Sequence, residues 1–492
     1  MITRSELPVE LNLATWFVDR NVEEGRGDRN ALISAAGATT YAELAVVVNR
    51  YGNLLRELGV QAQDRVLIVL ADSVDFVALW YGAQKIGAVT AEAYTFLQPK
   101  DYAYYLEYTD AKVVVADETT EAAIREVAGA RQVLVVNDEL RSRLEQLSAE
   151  LEPARTTKDD IALWKFTTGS TGQPKGAVHP VHSPVLSDDW YAQGVLGMTA
   201  DDVVLPVPKL FFGYARDLTA LYPFGVGGAG IVFPERSTPE RIFELIAEHR
   251  PTILVNVPTM MAQMIDSVRH GRCQAPDMSC LRKCTSAGEA LPRELHDRWL
   301  ETFGVEVLDG IGSSELYHIY VSNRPGRARP GSTGELVPGY EAELGENGEL
   351  LVTGDTAALY YWGDEEKTAR TFDGDTVHTG DLFDRDDEGF FWYRGRVDDL
   401  IKVGGIWVAP AEIEHCLVAH PDVVECAVVG AAQNGLTIPR AYVVARHPVE
   451  EQALKDFVRE RLSPHKYPRE VVFVDDLPKT PSGKLDRKAL AA

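Results

Sequence analysis

Cysteine is scarce in this chain: Cys273, Cys280, Cys284, Cys416 and Cys426 are the five in 492 residues. The set is odd and has no Cys-x-x-Cys spacing, which argues against a zinc ribbon and against a secreted disulfide framework, so reduced, mostly structural thiols are expected. Runs of Lys or Arg are missing as well, and 74 acidic against 49 basic residues leave a formal net charge of −25. A nucleic-acid backbone would be repelled over most of such a surface, so no nucleic-acid partner is expected. No apolar run approaches membrane-spanning length, and Met1 to Leu11 carries charges and proline instead of an n-region and an apolar h-region. The expectation is therefore a cytoplasmic protein without a membrane partner. Internal repeats and low-complexity segments are also absent. What remains, 45% hydrophobic and 25% charged residues, is the ordinary balance of a soluble globular chain.

The first half alternates between two periodicities. After an extended start, Thr40 and Glu43 form a capping-box pattern, and Leu44, Val47, Val48, Tyr51, Leu54, Leu55 and Leu58 recur at helical spacing up to Gly59. Strand-like runs at Arg65 to Leu70, Ala88 to Ala93, Val113 to Val115 and Gln132 to Val136 are separated by helical ones at Phe76 to Ile86 and Tyr102 to Tyr108. Such alternation predicts an α/β region with a largely parallel sheet, continuing to about Gly304. Pro330 to about Tyr393 changes to glycine-punctuated short strands, which predicts a small antiparallel β-subdomain. Beyond Gly395 a charged segment leads into helix, strand, strand, helix and strand, a compact α+β unit. The fold class expected is α/β: a large N-terminal domain of α/β sheets plus a small β-subdomain (residues 1–397), and a small α+β C-terminal domain (398–492).

Thr167 to Gly176 reads Thr-Thr-Gly-Ser-Thr-Gly-Gln-Pro-Lys-Gly and follows the strand-like Ile161 to Phe166. Glycines let backbone N–H groups approach anionic oxygens, hydroxyls donate hydrogen bonds, and Lys175 adds positive charge, so the stretch suits a polyphosphate at a strand end. It is not a Walker loop, because Pro174 precedes Lys175 and Gly176 follows it. Gly225 to Gly230 spells a GxGxxG match but leads into Ile231, Val232 and Phe233, which look like a strand, whereas a dinucleotide fingerprint should open a helix. Further glycine turns carry polar groups: Asp309-Gly-Ile-Gly-Ser-Ser-Glu315, Thr379-Gly-Asp381, Gly395-Arg396-Val-Asp398 running to Lys402 and Gly405, and Pro478-Lys-Thr-Pro-Ser-Gly-Lys484. A carboxylate such as Asp381 in a tight turn suits two vicinal ribose hydroxyls.

In this order the motifs resemble those of the adenylate-forming superfamily of acyl- and aryl-CoA ligases, adenylation domains and firefly-type luciferases, and the resemblance spans nearly the whole chain. Within it the chain is most similar to benzoate-CoA ligases, through Lys209-Leu-Phe-Phe-Gly-Tyr214, Ser286-Ala-Gly-Glu-Ala-Leu-Pro292, His318-Ile319, Ser322-Asn-Arg-Pro-Gly326 and Val337-Pro-Gly-Tyr340. The resemblance implies a mobile C-terminal domain and two reactions: a carboxylate attacks the α-phosphate of ATP, giving acyl-AMP and pyrophosphate, and the thiol of coenzyme A then attacks the acyl-AMP. It implies that Thr167, Thr168, Gly169, Ser170, Thr171, Gly172 and Lys175 grip the pyrophosphate portion of ATP, Ser314 the α-phosphate and Glu315 a Mg²⁺. Gly288, Glu289 and Ala290 with Asp309, Gly310 and Ile311 would enclose adenine, and Asp381 and Arg396 would hold the ribose.

By the same likeness Lys484 serves adenylation, Lys402 serves thioester formation, Asp398 is the hinge between them, and Gly404 and Gly405 line the path of the thiol arm. Gly213, Tyr214, Gly312, His318 and Ile319 would line an aryl pocket for a small carboxylic acid. Two departures from the benzoate-type pattern are Gly213 in place of Ala and Ala215-Arg216-Asp217 in place of a Gly-Leu-Gly run, which point to a larger or more polar acid. A carrier-protein thiol in place of coenzyme A, and a nucleotide sensor that has lost catalysis, are the alternative readings; intact Lys484, Glu315 and Asp381 count against the sensor.

Overall fold

The computed structural model describes residues 1–168, 173–403, 406–433, 436–463, 465–479 and 485–491. Its first long helix, Tyr41–Glu57, begins as the capping pattern predicts. The Glu43 amide donates to Thr40 Oγ1 at 3.2 Å and the Thr40 amide to the Glu43 carboxylate at 2.8 Å. Leu44, Val48, Tyr51, Leu54 and Leu55 form its buried stripe, facing the helix Val74–Lys85. The two backbones touch, and a Cβ on Gly82 would lie 2.8 Å from the Gly52 nitrogen. Ala at Gly82 would therefore force the pair apart.

Two large sheets organise the first two thirds of the chain. One has seven strands in the order Tyr360–Tyr361, Pro174–Pro180, Ile161–Thr168, Val89–Glu92, Arg65–Val69, Val113–Asp117, Gln132–Val136. Its last five strands are parallel, and the near-continuous apolar runs at Arg65–Val69 and Val113–Asp117 are what a strand covered on both faces requires. The second has nine, in the order Glu335–Leu336, Ile319–Ser322, Val307–Gly312, Lys283–Ser286, Ile253–Asn256, Val203–Pro206, Ala229–Ile231, Asn30–Ser34, Gly37–Thr40. The fold class is therefore the mixed α/β one read from the alternation.

Some local expectations are corrected. The start is not extended: Thr15–Asp19 and Arg20–Glu23 are helical, and Asn30–Ser34 with Gly37–Thr40 forms a hairpin. That hairpin escapes periodicity because its burial comes from a distant partner, Leu32 pairing in parallel with Gly230. The glycine-rich stretch after Tyr222 runs from helix to strand, with Tyr222–Val226 ending at Gly227 (φ +82°) and Ala229–Ile231 following. This is the reverse of the order a dinucleotide fingerprint needs.

Of the segment read as one antiparallel subdomain, Glu341–Leu344, Glu349–Thr353, Phe372–Asp373, Thr376–Arg385 and Phe391–Arg396 do form a five-stranded sheet. Glu335–Leu336 and Tyr360–Tyr361 instead extend the nine- and seven-stranded sheets. Two-residue strands carry too little pattern to reveal their partners.

Beyond Asp399 a separate apolar cluster takes over, built on Ile401, Val408, Ile413, Leu417, Val428, Val443, Leu454 and Val458. It is enclosed by the sheet Val423–Gln433, Leu436–Ala445, Glu470–Phe473 and the helices Pro410–Val418 and Glu451–Arg459. All five cysteines are free, and no helix among the described residues is long and apolar enough to cross a membrane.

Candidate active site

The strands flanking the phosphate-like stretch pair with each other. Ile161–Thr168 pairs antiparallel with Pro174–Pro180, Thr167 opposite Lys175 and Thr168 opposite Pro174. Gly169, Ser170, Thr171 and Gly172 lie outside the described residues, as do Gly404, Gly405 and Lys484. The Lys175 ammonium stands 2.6 Å from Asp364 Oδ2. Beside it, Tyr361 donates its hydroxyl to Glu315 Oε1 at 2.6 Å, which anchors the Glu315 carboxylate next to these strands. Neither Asp364 nor Tyr361 is foreseen by the motifs; the short strand Tyr360–Tyr361, paired to Pro174–Pro180, brings both in. Ser314 donates to the Phe166 carbonyl at 3.4 Å and offers its own carbonyl to His179 Nε2 at 2.6 Å. Because a carbonyl only accepts, Nε2 carries the proton.

The segments expected around a nucleoside lie on neighbouring strands. Ser286, at the end of Lys283–Ser286, is in register with Asp309 of Val307–Gly312. Gly288, Glu289 and Ala290 follow the first strand, and Gly288 takes φ +87°, open to glycine at no steric cost. Glu289 is committed to its own scaffold, accepting from the Thr259 hydroxyl at 2.7 Å and amide at 3.2 Å at the start of the helix Pro258–Arg269; burial raises its carboxyl pKa.

Asp309 Oδ1 is buried with no hydrogen-bond partner among the described residues, and burial pushes this carboxyl far above its ordinary range. Gly310 and Gly312 permit close return of the chain: Cβ atoms there would lie 2.8 Å from the Val321 carbonyl and 2.5 Å from the His318 carbonyl. Ile311 lies between them on the same strand, paired with Val321. Asp381 and Arg396 face each other across paired strands, with Arg396 Nη1 donating to Asp381 Oδ1 at 3.1 Å. Burial first, and then the charge of Asp381, raises the pKa of the buried Tyr320 hydroxyl.

A third group forms an aromatic cage. The ring of His318 has Tyr191, Tyr214 and Tyr222 around it at centroid distances of 5.5, 5.7 and 5.0 Å, and its Nε2 lies 3.3 Å from the Tyr214 carbonyl. Tyr214 is tied in turn to Thr285 at 2.8 Å. Gly213 opens the helix Gly213–Ala220, Gly312 ends its strand, and Ile319 begins the paired one. Burial lowers the pKa of His318, and likewise of His179, to about 3, so both are neutral in the folded protein. Below the unfolded value near 6.5 the unfolded chain takes up a proton that the native histidine refuses, so each contributes stability that is full above that pH and falls as pH drops towards 3. The buried carboxyls of Asp72 and Asp188, raised by burial, act in the opposite sense, so comparison with a variant isolates the effect. Between pH 7 and pH 5 the native protein is expected to lose about 2 kcal/mol more than His318→Phe does in urea unfolding. Equal losses would contradict it.

The replacement Ala215-Arg216-Asp217 does not make a polar pocket wall. Arg216 is 1% exposed and faces inward over Trp80, 2.6 Å from Glu92 Oε1 and 3.0 Å from Asp217 Oδ1. Lys165 completes a buried cluster of two acids and two bases through Asp217 and donates to the Tyr317 carbonyl at 2.5 Å. Lys165 belongs to no motif of the sequence, although a single lysine inside the apolar run Ile161-Ala-Leu-Trp-Lys-Phe is a visible signal. Asp398 follows the Arg396 strand directly, and its turn packs against the Asp381 strand Thr376–Arg385. Asp398 is exposed in the turn Val397–Asp399, and Lys402 is exposed on Ile401–Val403, 5.2 Å from the Trp407 ring centre.

The family described as AMP-binding enzyme matches residues 18–364, and the AMP-binding enzyme C-terminal domain matches residues 412–484. The benzoate–CoA ligase of Thauera aromatica is 40% identical over 512 aligned positions, covering 98% of this chain and 96% of that one. Among solved structures, a benzoate CoA ligase from Burkholderia xenovorans superposes with a TM-score of 0.91 at 38% identity, over 98% of this chain and 100% of its own. An anthranilate CoA ligase in complex with anthranoyl-AMP gives 0.94 at 33% identity, over 99% and 98%. With two family matches in sequence, and paired strands flanking the phosphate-like stretch, the Arg396–Asp381 pair and an aromatic cage in space, the chain belongs to the AMP-binding enzyme family.

Proposed function

We propose that this protein is an ATP-dependent, AMP-forming acid–CoA ligase whose acid is benzoate or a related aryl carboxylate. The observation that carries the reading is the Arg396–Asp381 pair together with Glu315, held by Tyr361 beside Lys175, and the His318 cage that follows Glu315 in the chain. In the first step a carboxylate oxygen attacks the α-phosphorus and the bond to the β-phosphate oxygen breaks, releasing pyrophosphate. Attack of one anion on another needs positive charge and oriented donors, because transition-state charge is otherwise uncompensated. Thr167 and Lys175, on the paired strands, would hold the leaving pyrophosphate together with the assigned Gly169, Ser170, Thr171 and Gly172. Ser314 would meet the α-phosphate, and Lys484 would bridge carboxylate and phosphate oxygens. Asp381 accepts from vicinal ribose hydroxyls while Arg396 fixes its orientation.

Glu315 fits a single-carboxylate Mg²⁺ position, since Tyr361 takes only Oε1. No cluster of three His, Cys, Asp or Glu residues exists among the described residues, so phosphate oxygens and water would complete the shell. Bound there, the ion would neutralise phosphate charge.

In the second step a thiol attacks the acyl carbonyl, AMP leaves with the bridging oxygen, and a thioester forms. Lys402, Gly404 and Gly405 are assigned to this step, with domains 1–397 and 398–492 reorienting about Asp398. Lys402 and Lys484 serve different half reactions, and rotation of the C-terminal domain exchanges them at the nucleotide.

The test is acid-dependent ATP–pyrophosphate exchange over benzoates, cinnamates, cyclic aliphatic acids and medium-chain fatty acids, repeated with coenzyme A. Exchange confined to aryl acids, with aryl-CoA on adding the thiol, is expected. Exchange without thioester would move the acceptor to a carrier protein, and no exchange with any acid would refute the ligase reading.

A further inference from the structure

The ammonium of Lys165 lies against the backbone of Gly213. A Cβ built there would be 2.9 Å from Nζ, 3.0 Å from Cε and 3.2 Å from Cδ, so the lysine fills the space that a methyl group on residue 213 would need. On the reading above, Gly213 lines the acyl pocket, and the wall at that point is an amine in place of a methyl. Nζ donates to Asp217 and to the Tyr317 carbonyl, with the Tyr317 ring centre 3.6 Å away. An ammonium has three N–H donors, and among the described residues no third oxygen or nitrogen acceptor meets it.

The charge itself is already compensated, because Asp217 and Glu92 balance Lys165 and Arg216. A further carboxylate would add an unpaired buried charge, whereas a neutral acceptor adds none. The same wall carries a complementary orphan. His318 is buried, its Nε2 proton goes to the Tyr214 carbonyl, and its Nδ1 has no hydrogen-bond partner among the described residues. In the neutral ring Nδ1 is therefore a lone-pair acceptor. Lys165 meets the backbone at Gly213 and at the Tyr317 carbonyl, while His318, the residue after Tyr317, bonds the carbonyl of Tyr214, the residue after Gly213, so the two side chains bracket the same stretch of wall.

We propose that Lys165 and His318 are a specificity-determining pair that recognises a ring hydroxyl group of the aryl acid, which accepts from Lys165 Nζ and donates to His318 Nδ1. The inference rests on the aryl-acid ligase reading and deepens it. A benzoate without the hydroxyl leaves both groups unpaired, and a site built to bond a hydroxyl rejects the analogue lacking it.

The test compares kcat/KM for benzoate with that for 2-, 3- and 4-hydroxybenzoate. The native enzyme is expected to favour at least one hydroxybenzoate isomer by about tenfold or more. Lys165→Met combined with Asp217→Asn removes the donor while keeping the cluster neutral, and His318→Phe removes the acceptor while keeping a ring. Each is expected to reduce that preference at least about tenfold. A native enzyme preferring benzoate to all three isomers overturns the pair, as does an unchanged ratio in whichever variant remains folded and active. Absence of exchange with every aryl acid refutes the ligase reading as well, so the two failures are distinguishable.

Discussion

Lys484→Ala is expected to reduce acid-dependent ATP–pyrophosphate exchange by about 10²–10³-fold while leaving thioester formation from supplied acyl-AMP near the native rate. Removing one oriented donor from a site of developing negative charge has that order of effect, and Lys484 is the cation assigned to the attacking carboxylate. Lys402→Ala is expected to show the opposite pattern, with exchange retained and thioester formation lost. The split follows from the two roles: Lys402 lies exposed on Ile401–Val403, and each lysine is assigned to one half reaction. If Lys402→Ala abolished exchange and spared the thiol step, the two assignments would be reversed.

Asp217→Ala is expected to destabilise the protein by about 3–5 kcal/mol. The carboxylate is fully buried, and burial would raise its pKa, but the cations of Lys165 and Arg216 outweigh that and hold it below the ordinary range. Without it two buried cations face Glu92 alone. Lys165→Met with Asp217→Asn deletes one charge of each sign and is expected to cost much less, because a buried pair removed whole leaves no orphan charge. Urea denaturation separates the cases, and a single variant within about 1 kcal/mol of native would contradict the account.

The parts of the site that were legible in the sequence are those whose chemistry is local. The glycine and hydroxyl run before Lys175 read as a phosphate-binding stretch at a strand end, and the strands on either side of it pair with each other. Ser314, Glu315, Asp381 and Arg396 stand out as ordered motifs, and the structure brings Arg396 onto Asp381. The Thr40 capping box and the parallel strands were legible through short-range periodicity. What sequence did not reveal depends on juxtaposition. Tyr361 and Asp364 serve Glu315 and Lys175 only because a two-residue strand docks on the edge of Pro174–Pro180. Arg216 read as a polar pocket residue, yet its partners Glu92 and Trp80 turn it into the core. Gly213 read as a slightly wider pocket, whereas Lys165, distant in sequence, occupies the space.

The acyl-adenylate step is tested most directly by an isotope. An aryl acid labelled with ¹⁸O in both carboxylate oxygens is incubated with the enzyme, ATP, Mg²⁺ and coenzyme A, and the nucleotide product is weighed by mass spectrometry. Attack of the carboxylate on the α-phosphorus, followed by thiol attack at the carbonyl, predicts AMP carrying one ¹⁸O atom. Unlabelled AMP, or ADP as the product, would contradict it.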